Sequence, residues 1–405
     1  MMFSSPHPLA ALLLAVASGL LLPVTFSPAN AGSWEQVLPD SEFRGIEVRC
    51  GRAIAYGRSG HNSTVRSYAI RDGRLQWEHT VRPYGLYNNA RHLQASCGKV
   101  FVSGSIQTSV ASPNGSASLD TFLRGLSAPT GAMLWEVVNA PGYRLFPSDL
   151  VLGAGLLFFR RSDSLDTEHG VTEVRSVATG DVREELIGPL RDLDVRRGLL
   201  LTSREDDRFL PVEALDAHTL SPVWTEPSPQ GWLREIATAR SHLIVLRILG
   251  EVDGQLRIKL RALNLLTGSI SWEKTLAFAN QGNSTPEISV RGDLLVVVDG
   301  GSGSLQTYSA STGKLRWAAK PTGRSTFMTA GTNGSRVVVA EDSPGAEGRR
   351  LALRTHDGAT GVVLATDVAD FRGFVTQLAV SGRRAFAIGG RSNSNDAFIR
   401  SIAVP

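Results

Sequence analysis

Cysteine, methionine and long apolar runs are all scarce in this sequence. Only 2 of its 405 residues are cysteine and only 4 are methionine. Beyond residue 31, no segment approaches the ~18 to 20 consecutive apolar residues of a membrane-spanning helix. With 42% hydrophobic and 20% charged residues, the composition is that of a globular chain. These features argue against a multi-span membrane protein and against a disordered one.

Charge is absent from the start of the chain, where residues 1–31 contain no lysine, arginine, aspartate or glutamate. An apolar run over residues 9–22 ends shortly before Ala29-Asn30-Ala31, a pattern typical of a cleaved secretory signal. We predict a signal peptide over residues 1–31 and a single domain over residues 32–405.

Two further features bear on the route of export. The residues before the apolar run lack the basic side chain that is customary in bacterial signals. Four Asn-x-Ser/Thr sequons are candidate glycosylation sites: Asn62, Asn114, Asn283 and Asn333. Both features favour the endoplasmic-reticulum lumen or secretion, and the bacterial periplasm is the alternative.

A short motif recurs along the chain, a glycine followed four residues later by tryptophan. Complete copies begin at Gly73, Gly131, Gly268 and Gly313. Weaker copies stand at Gly180, Leu220 and Gly361, and the mean spacing of all seven is about 48 residues. That period suits a four-stranded β-propeller blade, and the glycine suits a tight turn before the last strand of each blade.

The two ends of the chain supply the parts of an eighth blade. Three strand-like segments come after the seventh motif, at residues 377–381, 385–389 and 397–404, without a fourth. The segment beginning at Trp34 matches the last strands of other blades. We predict an all-β, eight-bladed propeller of four-stranded blades, the last closed by the N-terminal Trp34 strand. Six tryptophans share the repeat position and are predicted to pack between blades: Trp34, Trp77, Trp135, Trp224, Trp272 and Trp317.

The segments Ala214-Leu215-Asp216-Ala217-His218-Thr219 and Ala262-Leu263-Asn264-Leu265-Leu266-Thr267 each precede the turn motif. They resemble the repeat of pyrroloquinoline-quinone-like (PQQ-like) propellers. Two scaffold members of that family are most similar in layout. One is the luminal propeller of the largest subunit of the endoplasmic-reticulum membrane protein complex. The other is the propeller lipoprotein of the bacterial outer-membrane β-barrel assembly machine, whose lipobox cysteine is missing here.

The resemblance implies a non-catalytic protein-interaction scaffold outside the cytoplasm, acting in membrane-protein insertion or assembly. Its partners would be subunits of a membrane-associated complex, and no cofactor, metal, nucleic acid or membrane span of its own is expected. The alternatives are a PQQ-dependent dehydrogenase and a sugar- or ligand-binding propeller. The sequence contains neither the adjacent cysteines of the quinone enzymes nor a calcium-loop motif or metal-spaced histidines.

The two cysteines fall at equivalent places in neighbouring blades. Cys50 and Cys97 each precede a glycine and a base in the predicted first hairpin turn. In an oxidising compartment they are candidates for one disulfide, and the alternative is a pair of buried thiols.

Bases recur in the first hairpin turns, which propeller geometry places on one face around the axial opening. We predict that this face meets an acidic protein surface or anionic headgroups. The residues are Arg52, Lys99, Arg196, Arg197, Arg240, Arg291, Arg336, Arg383 and Arg384. The opposite face is predicted to carry recognition loops at residues 103–120, 161–171 and 249–254.

Overall fold

The computed structural model describes residues 33–81, 87–107, 119–139, 145–163, 171–187, 190–204, 211–279, 286–300, 303–320, 326–345, 348–369, 373–391 and 396–405. The described chain forms eight four-stranded antiparallel sheets, seven of which are meanders of consecutive strands. The predicted signal peptide lies outside the described residues. No helix long and apolar enough to cross a bilayer is found in the part of the chain that the structure describes.

Blades 1 to 4 succeed one another along the chain. Blade 1 consists of β2 (Ser41–Arg49), β3 (Arg52–Ser59), β4 (Asn62–Ala69) and β5 (Leu75–Val81). Blade 2 consists of β6 (Tyr87–Ala95), β7 (Lys99–Gln107), β8 (Leu119–Ser127) and β9 (Met133–Asn139). Blade 3 consists of β10 (Leu145–Gly153), β11 (Leu156–Asp163), β12 (Val171–Ser176) and β13 (Val182–Ile187). Blade 4 consists of β14 (Leu190–Arg196), β15 (Leu199–Arg204), β16 (Val212–Asp216) and β17 (Pro222–Thr225).

Blades 5 to 8 complete the ring. Blade 5 consists of β18 (Trp232–Thr238), β19 (His242–Val252), β20 (Gln255–Asn264) and β21 (Ile270–Ala279). Blade 6 consists of β22 (Glu287–Arg291), β23 (Leu294–Asp299), β24 (Ser304–Ser309) and β25 (Leu315–Ala319). Blade 7 consists of β26 (Thr326–Thr332), β27 (Arg336–Gly345), β28 (Gly348–Asp357) and β29 (Val363–Val368). Blade 8 consists of β30 (Gly373–Ser381), β31 (Arg384–Arg391), β32 (Ala397–Ala403) and β1 (Trp34–Leu38).

The ring closes between the two ends of the described chain. Strand β1 is the outermost strand of blade 8 and pairs antiparallel with β32, from Trp34 opposite Ser401 to Leu38 opposite Ala397. The prediction of eight blades closed by the Trp34 strand is therefore confirmed. Within each blade, the turns after the first and third strands lie at one end, called here the lower end. The connections after the second and fourth strands lie at the upper end.

The hydrophobic core is divided among the eight junctions between neighbouring blades. Each of the eight clusters of buried apolar side chains draws its members from two adjacent blades. Strand β23 shows why: all six of its residues are buried. Leu295 and Val297 face blade 5, whereas Val296 and Val298 face blade 7. Because side chains alternate between the faces of a strand, one continuous apolar run serves two junctions.

The repeated tryptophans lie in these junctions, each against the lower-end turn of the next blade. The indole N–H of Trp77 donates to the carbonyl of Ala128 (2.8 Å), and a methyl group added at Gly131 would lie 2.6 Å from Trp77 Cε3. The same hydrogen bond is made by Trp34, Trp224, Trp272 and Trp317. The recurring glycine is thus required by the neighbouring indole as well as by its own positive φ.

Two blades lack the repeat tryptophan, with Glu184 in blade 3 and Ala365 in blade 7 at that position. At the junction after blade 3, the facing turn of blade 4 also lacks the glycine and has Leu220 in its place. Leu220 adopts φ of 57°, a conformation that most residues with a side chain avoid. A side chain fits there because no indole covers the turn.

A second repeated pair lies next to the tryptophans. The glutamate that comes after a repeat tryptophan sits directly opposite an arginine of the third strand, at N–O distances of 2.6 to 3.0 Å. The pairs are Arg66 with Glu78, Arg124 with Glu136, Arg261 with Glu273 and Arg400 with Glu35. Three of these arginines also reach the preceding blade, at His79, Glu226 and Asp367. They therefore fasten blades together as well as strands.

Candidate binding surfaces

The bases predicted to form one face do lie in or beside the lower-end turns, but they differ in accessibility. Arg197, Arg240, Arg291 and Arg383 are exposed. Arg52 is half-buried, and Arg196 is exposed but bonds Thr238 on blade 5 at 2.8 Å. These positions leave a partial ring of free guanidinium groups on blades 4, 5, 6 and 8.

Three other members of the predicted face are occupied by structural contacts. The Nζ of Lys99 donates to the carbonyl of Val177 (2.8 Å) on blade 3. Arg336 bonds Asp357 (2.9 Å) and the carbonyl of Pro405 (2.8 Å). Arg384 is buried and donates to Ser401 and to the carbonyl of Arg71. These bases hold blades together, so the basic surface is smaller than the sequence predicted.

The two cysteines lie in the lower-end turns of blades 1 and 2. Cys50 and Cys97 are joined in a disulfide, with their Cα atoms 5.3 Å apart. The bond crosses a blade junction next to the one that β1 closes. Because disulfides persist in oxidising surroundings, it is typical of a protein outside the cytoplasm.

Two of the four sequons fall within the described residues. Asn62 begins β4 and is half-buried. Asn333 uses its side chain structurally, since Oδ1 accepts from the backbone N–H of Arg336 and Nδ2 donates to the carbonyl of Gly382. Asn114 and Asn283 lie outside the described residues. Glycosylation at all four stays a prediction.

The innermost strands carry a ring of polar side chains that was not predicted from the sequence. These strands have one edge without a partner strand, and its N–H groups need acceptors. Side chains of the preceding blade supply them: Gln377 accepts from Ile46 N (2.7 Å), Asp149 from Leu193 N (3.2 Å) and Glu235 from Ile288 N (2.9 Å). Burial raises the pKa of Asp149 above its usual range, although nearby His92 lowers it. In β10 and β30 the sequence carried a signal, a polar residue (Asp149 and Gln377) inside a largely apolar strand.

The inner carboxylates do not fit the quinone–calcium site of the dehydrogenases that share this repeat. Asp149 and Glu235 are engaged by backbone N–H groups of the next blade. Among the described residues, no three histidine, cysteine, aspartate or glutamate side chains lie close enough to hold one metal ion.

At the upper end of blade 5, a buried ion cluster fixes the connection from blade 4. Glu226 is fully buried and pairs with Arg247 and Arg261, whose side chains are also buried. Arg261 further donates to the carbonyl of Pro227 (2.8 Å), and Arg247 donates to that of Gly231 (3.0 Å). A connection held at both ends in this way presents the first residue of β18 in one fixed position.

That residue is Trp232, the one tryptophan outside the repeat position. Its side chain is 43% exposed, and it lies opposite Ile248 of β19. The next residue on that strand, Leu249, reaches within 2.9 Å of the Cβ position of Gly231, and both Leu249 and Val252 are exposed. We call Trp232, Leu249 and Val252 the blade 5 patch. The predicted loop at residues 249–254 is in fact a tight hairpin, since β19 runs to Val252 and β20 begins at Gln255.

Most other exposed apolar side chains lie on the outer strands, whereas the patch lies on the first two strands of its blade. Leu75, Met133, Ile270 and Leu315 each stand two residues before a tryptophan position on the outer strand. Exposure that recurs from blade to blade belongs to the architecture of the ring. The blade 5 patch lies at the upper end instead, so this recurrence on the outer strands does not account for its exposure.

Similarity to known proteins reflects this architecture. A family model described as "Outer membrane protein assembly factor BamB" matches residues 119–289, which run from blade 2 into blade 6 and make up less than half of the chain. Over those residues the chain resembles PQQ-like repeats. No curated protein sequence matches it significantly.

Solved structures with a similar fold include an assembly factor and an enzyme. BamB from Moraxella catarrhalis is 15% identical with a TM-score of 0.57, covering 90% of this chain and 97% of that one. The quinohemoprotein alcohol dehydrogenase ADHIIG from Pseudomonas putida HK5 is 13% identical with a TM-score of 0.54, covering 92% and 77%. The Dos1 propeller is 9% identical with a TM-score of 0.61, covering 92% and 95%. At such identities the likeness shows the fold alone.

Proposed function

We propose that this chain is an extracytoplasmic protein-binding scaffold, and that the blade 5 patch is its recognition surface. The exposed Trp232 on a rigidly clamped connection is the observation that carries the proposal. Tryptophan is enriched among the residues that dominate binding energy at protein interfaces, where its large apolar ring and its indole N–H both make contacts. A rigid ring presenting such a side chain binds without the entropic cost of ordering it.

The partner is inferred from the surroundings of the patch. Leu249 and Val252 offer apolar contact area, while Glu251 and Asp253 place two exposed carboxylates at the hairpin tip. A complementary segment would carry an apolar side chain flanked by lysine or arginine. The similarity of residues 119–289 to the BamB family model supports a role in outer-membrane protein assembly. The Cys50–Cys97 disulfide supports an oxidising compartment such as the periplasm. The endoplasmic-reticulum lumen, which the signal and the sequons favour, stays a prediction.

The proposal is tested by replacing Trp232 with a photo-crosslinking phenylalanine analogue in the native host. Leu315, an equally exposed residue of the outer strand of blade 6, is the matched control position. We expect one defined protein adduct from position 232 and none from 315. In binding assays with that partner, Trp232→Ala should weaken affinity by about 30-fold, as expected for a central interface tryptophan. Equal crosslinking at both positions would refute the proposal.

The exposed arginines of the lower end are the second candidate surface. Arg197, Arg240, Arg291 and Arg383 carry the remaining free charge of the predicted face. If they bind the partner instead, replacing all four with serine will slow capture at low salt while Trp232→Ala leaves it unchanged.

A further inference from the structure

A cleft of about 790 Å³ opens at the upper end between blades 8 and 1. We call it the seam cleft. One wall comes from the connection between β1 and β2 and from the turn between β3 and β4. The other wall comes from β30, β31 and the start of β32. The volume is within the range of small-molecule sites. The cleft shares no residue with the blade 5 patch, so a ligand here is independent of the proposed function.

The aromatic ring of Phe374 lines one wall of the cleft. Phe374 pairs with Gly390 across β30 and β31, and a methyl group added at Gly390 would lie 2.7 Å from Phe374 Cζ. The ring therefore rests on bare backbone, and its side chain is 51% exposed. Tyr56 covers Gly45 in blade 1 in a comparable way, but burial raises its pKa to about 12 and its hydroxyl bonds the carbonyl of Arg91. The contrast shows that Phe374 keeps an aromatic face open to the cleft.

Acidic and basic side chains both line the cleft around that ring. Asp40 has φ of 47°, held by a hydrogen bond from Gly60 N to its carbonyl (3.1 Å). Within the described residues, neither its carboxylate nor the imidazole of His61 makes a side-chain hydrogen bond. Strained backbone that presents an unused polar group is a feature of ligand sites. Glu42, Arg58, Arg391 and Asp396 complete the lining charges, and of these Glu42 pairs with Arg44 and Arg391 with Glu35.

The chemistry of the lining selects the ligand. Three carboxylates face two guanidinium groups and a histidine, so the cleft offers no excess of positive charge for a phosphate or other anion. Carboxylates only accept hydrogen bonds and arginines only donate them, whereas a hydroxyl does both. A ring that carries hydroxyls on its edge and an apolar face can bond Asp40 and His61 while it stacks on Phe374. We infer that the seam cleft binds a neutral saccharide, stacked on Phe374.

Saturation-transfer NMR with four disaccharides, maltose, cellobiose, lactose and N,N′-diacetylchitobiose, tests this inference on the intact chain. We expect transfer to at least one of them, with Kd of about 1 mM. Phe374→Ala should weaken that binding about tenfold, and Leu315→Ala, which removes an equally exposed side chain elsewhere, should not. Asp40→Asn should also weaken it, because asparagine tolerates positive φ but replaces one acceptor oxygen with a donor.

Three results would overturn the inference. The first is no transfer to any of the four sugars at about 10 mM, a concentration well above the expected Kd. The second is equal binding by the Phe374→Ala and Leu315→Ala proteins. The third is transfer to acetyl-trialanine amide that is lost in Phe374→Ala while no sugar binds, which would make the cleft a peptide site. Trp232→Ala should leave saccharide binding intact, so failure here is separable from failure of the proposed function.

Discussion

At the scale of single residues, the glycines of this ring fall into two kinds. Gly313 and Gly292 have nearly the same backbone, with φ of 67° and 65°. A methyl group at Gly313 would lie 2.7 Å from the Trp272 ring, whereas nothing lies within 4 Å of the same position at Gly292. We predict that Gly292→Ala costs about 1 kcal/mol of unfolding free energy, from backbone strain alone. Gly313→Ala should cost about 3 kcal/mol, because overpacking against Trp272 is added.

The comparison is made by denaturant unfolding of the two variants beside the parent chain. Because both substitutions impose the same positive φ on alanine, the difference between them isolates the indole contact. If the two variants are equally stable, the tryptophan does not impose the glycine, and the pairing of Glu184 with Leu220 in blades 3 and 4 is then unexplained.

His356 makes stability depend on pH. It is buried and stacked on Trp317, with its Nδ1 3.0 Å from the carbonyl of Gly361. Burial, and to a lesser degree Arg354, lowers its pKa below the unfolded value of about 6.5. The folded chain therefore binds fewer protons than the unfolded chain. The contribution of His356 to the free energy of unfolding is complete above about pH 6.5. It is lost as the pH falls towards the pKa of His356 in the folded chain.

Protonation of His356 is expected to lower the free energy of unfolding by at most about 1.4 kcal/mol per pH unit. Denaturant unfolding between about pH 7.5 and 5 measures it. His356→Gln should flatten the profile, and His218→Gln, at an exposed turn position, should leave it unchanged. A profile for His356→Gln that is as steep as the parent's would assign the dependence to other groups, such as His79, whose pKa is also lowered by burial.

At the scale of strands and blades, the sequence predicts the elements well because their causes are local. Alternation of side chains and the glycine of each turn act over a few residues, and both are visible in one repeat. Contacts between blades are set by residues far apart in the chain. Arg261 meets Glu226 of the blade before it, and nothing within five residues of either shows the pairing. Contacts of this kind also engage some of the predicted surface bases. Lys99 and Arg384, for example, donate to carbonyl groups of a neighbouring blade.

The Glu226 cluster should be the strongest polar tie between two blades. Its carboxylate is fully buried between Arg247 and Arg261. Glu226→Ala would leave two buried guanidinium groups without a counter-charge, and we predict a loss of about 3 to 5 kcal/mol. Glu78 of blade 1 pairs with Arg66 but is partly exposed, so Glu78→Ala should cost no more than about 1 kcal/mol. Urea unfolding followed by circular dichroism gives both values. Losses of equal size would mean that the cluster is no more than one of the repeated cross-strand pairs.

At the scale of the whole molecule, the closure of the ring could be predicted from the sequence, whereas the positions of the candidate binding surfaces could not. The Trp34 strand repeats a pattern present elsewhere in the chain, so its place in blade 8 could be predicted by counting. The blade 5 patch and the seam cleft lie outside the repeated glycine–tryptophan motif, and a feature outside that motif has no periodic signal. Trp232 was visible in the sequence as the tryptophan outside the repeat, but its exposure depends on where the Glu226 cluster holds the chain.

Closure of the ring by β1 also covers the edge of β32. Trp34 and Trp272 make the same contacts with a neighbouring turn, including the indole hydrogen bond at 3.0 and 2.9 Å. Replacing either with alanine should cost about 3 to 5 kcal/mol. Only Trp34 belongs to a strand that is joined to its blade by pairing rather than by a turn.

Trp34→Ala should therefore loosen β1 and expose the edge of β32, which is then free to pair with a second copy. Light scattering after gel filtration is expected to show concentration-dependent dimers for Trp34→Ala and monomers for Trp272→Ala. Monomers for both variants would mean that the other contacts of β1, chiefly the pairing of Glu35 with Arg391 and Arg400, hold the ring closed without the indole. The double variant Trp34→Ala, Glu35→Ala would then be the one that dimerises.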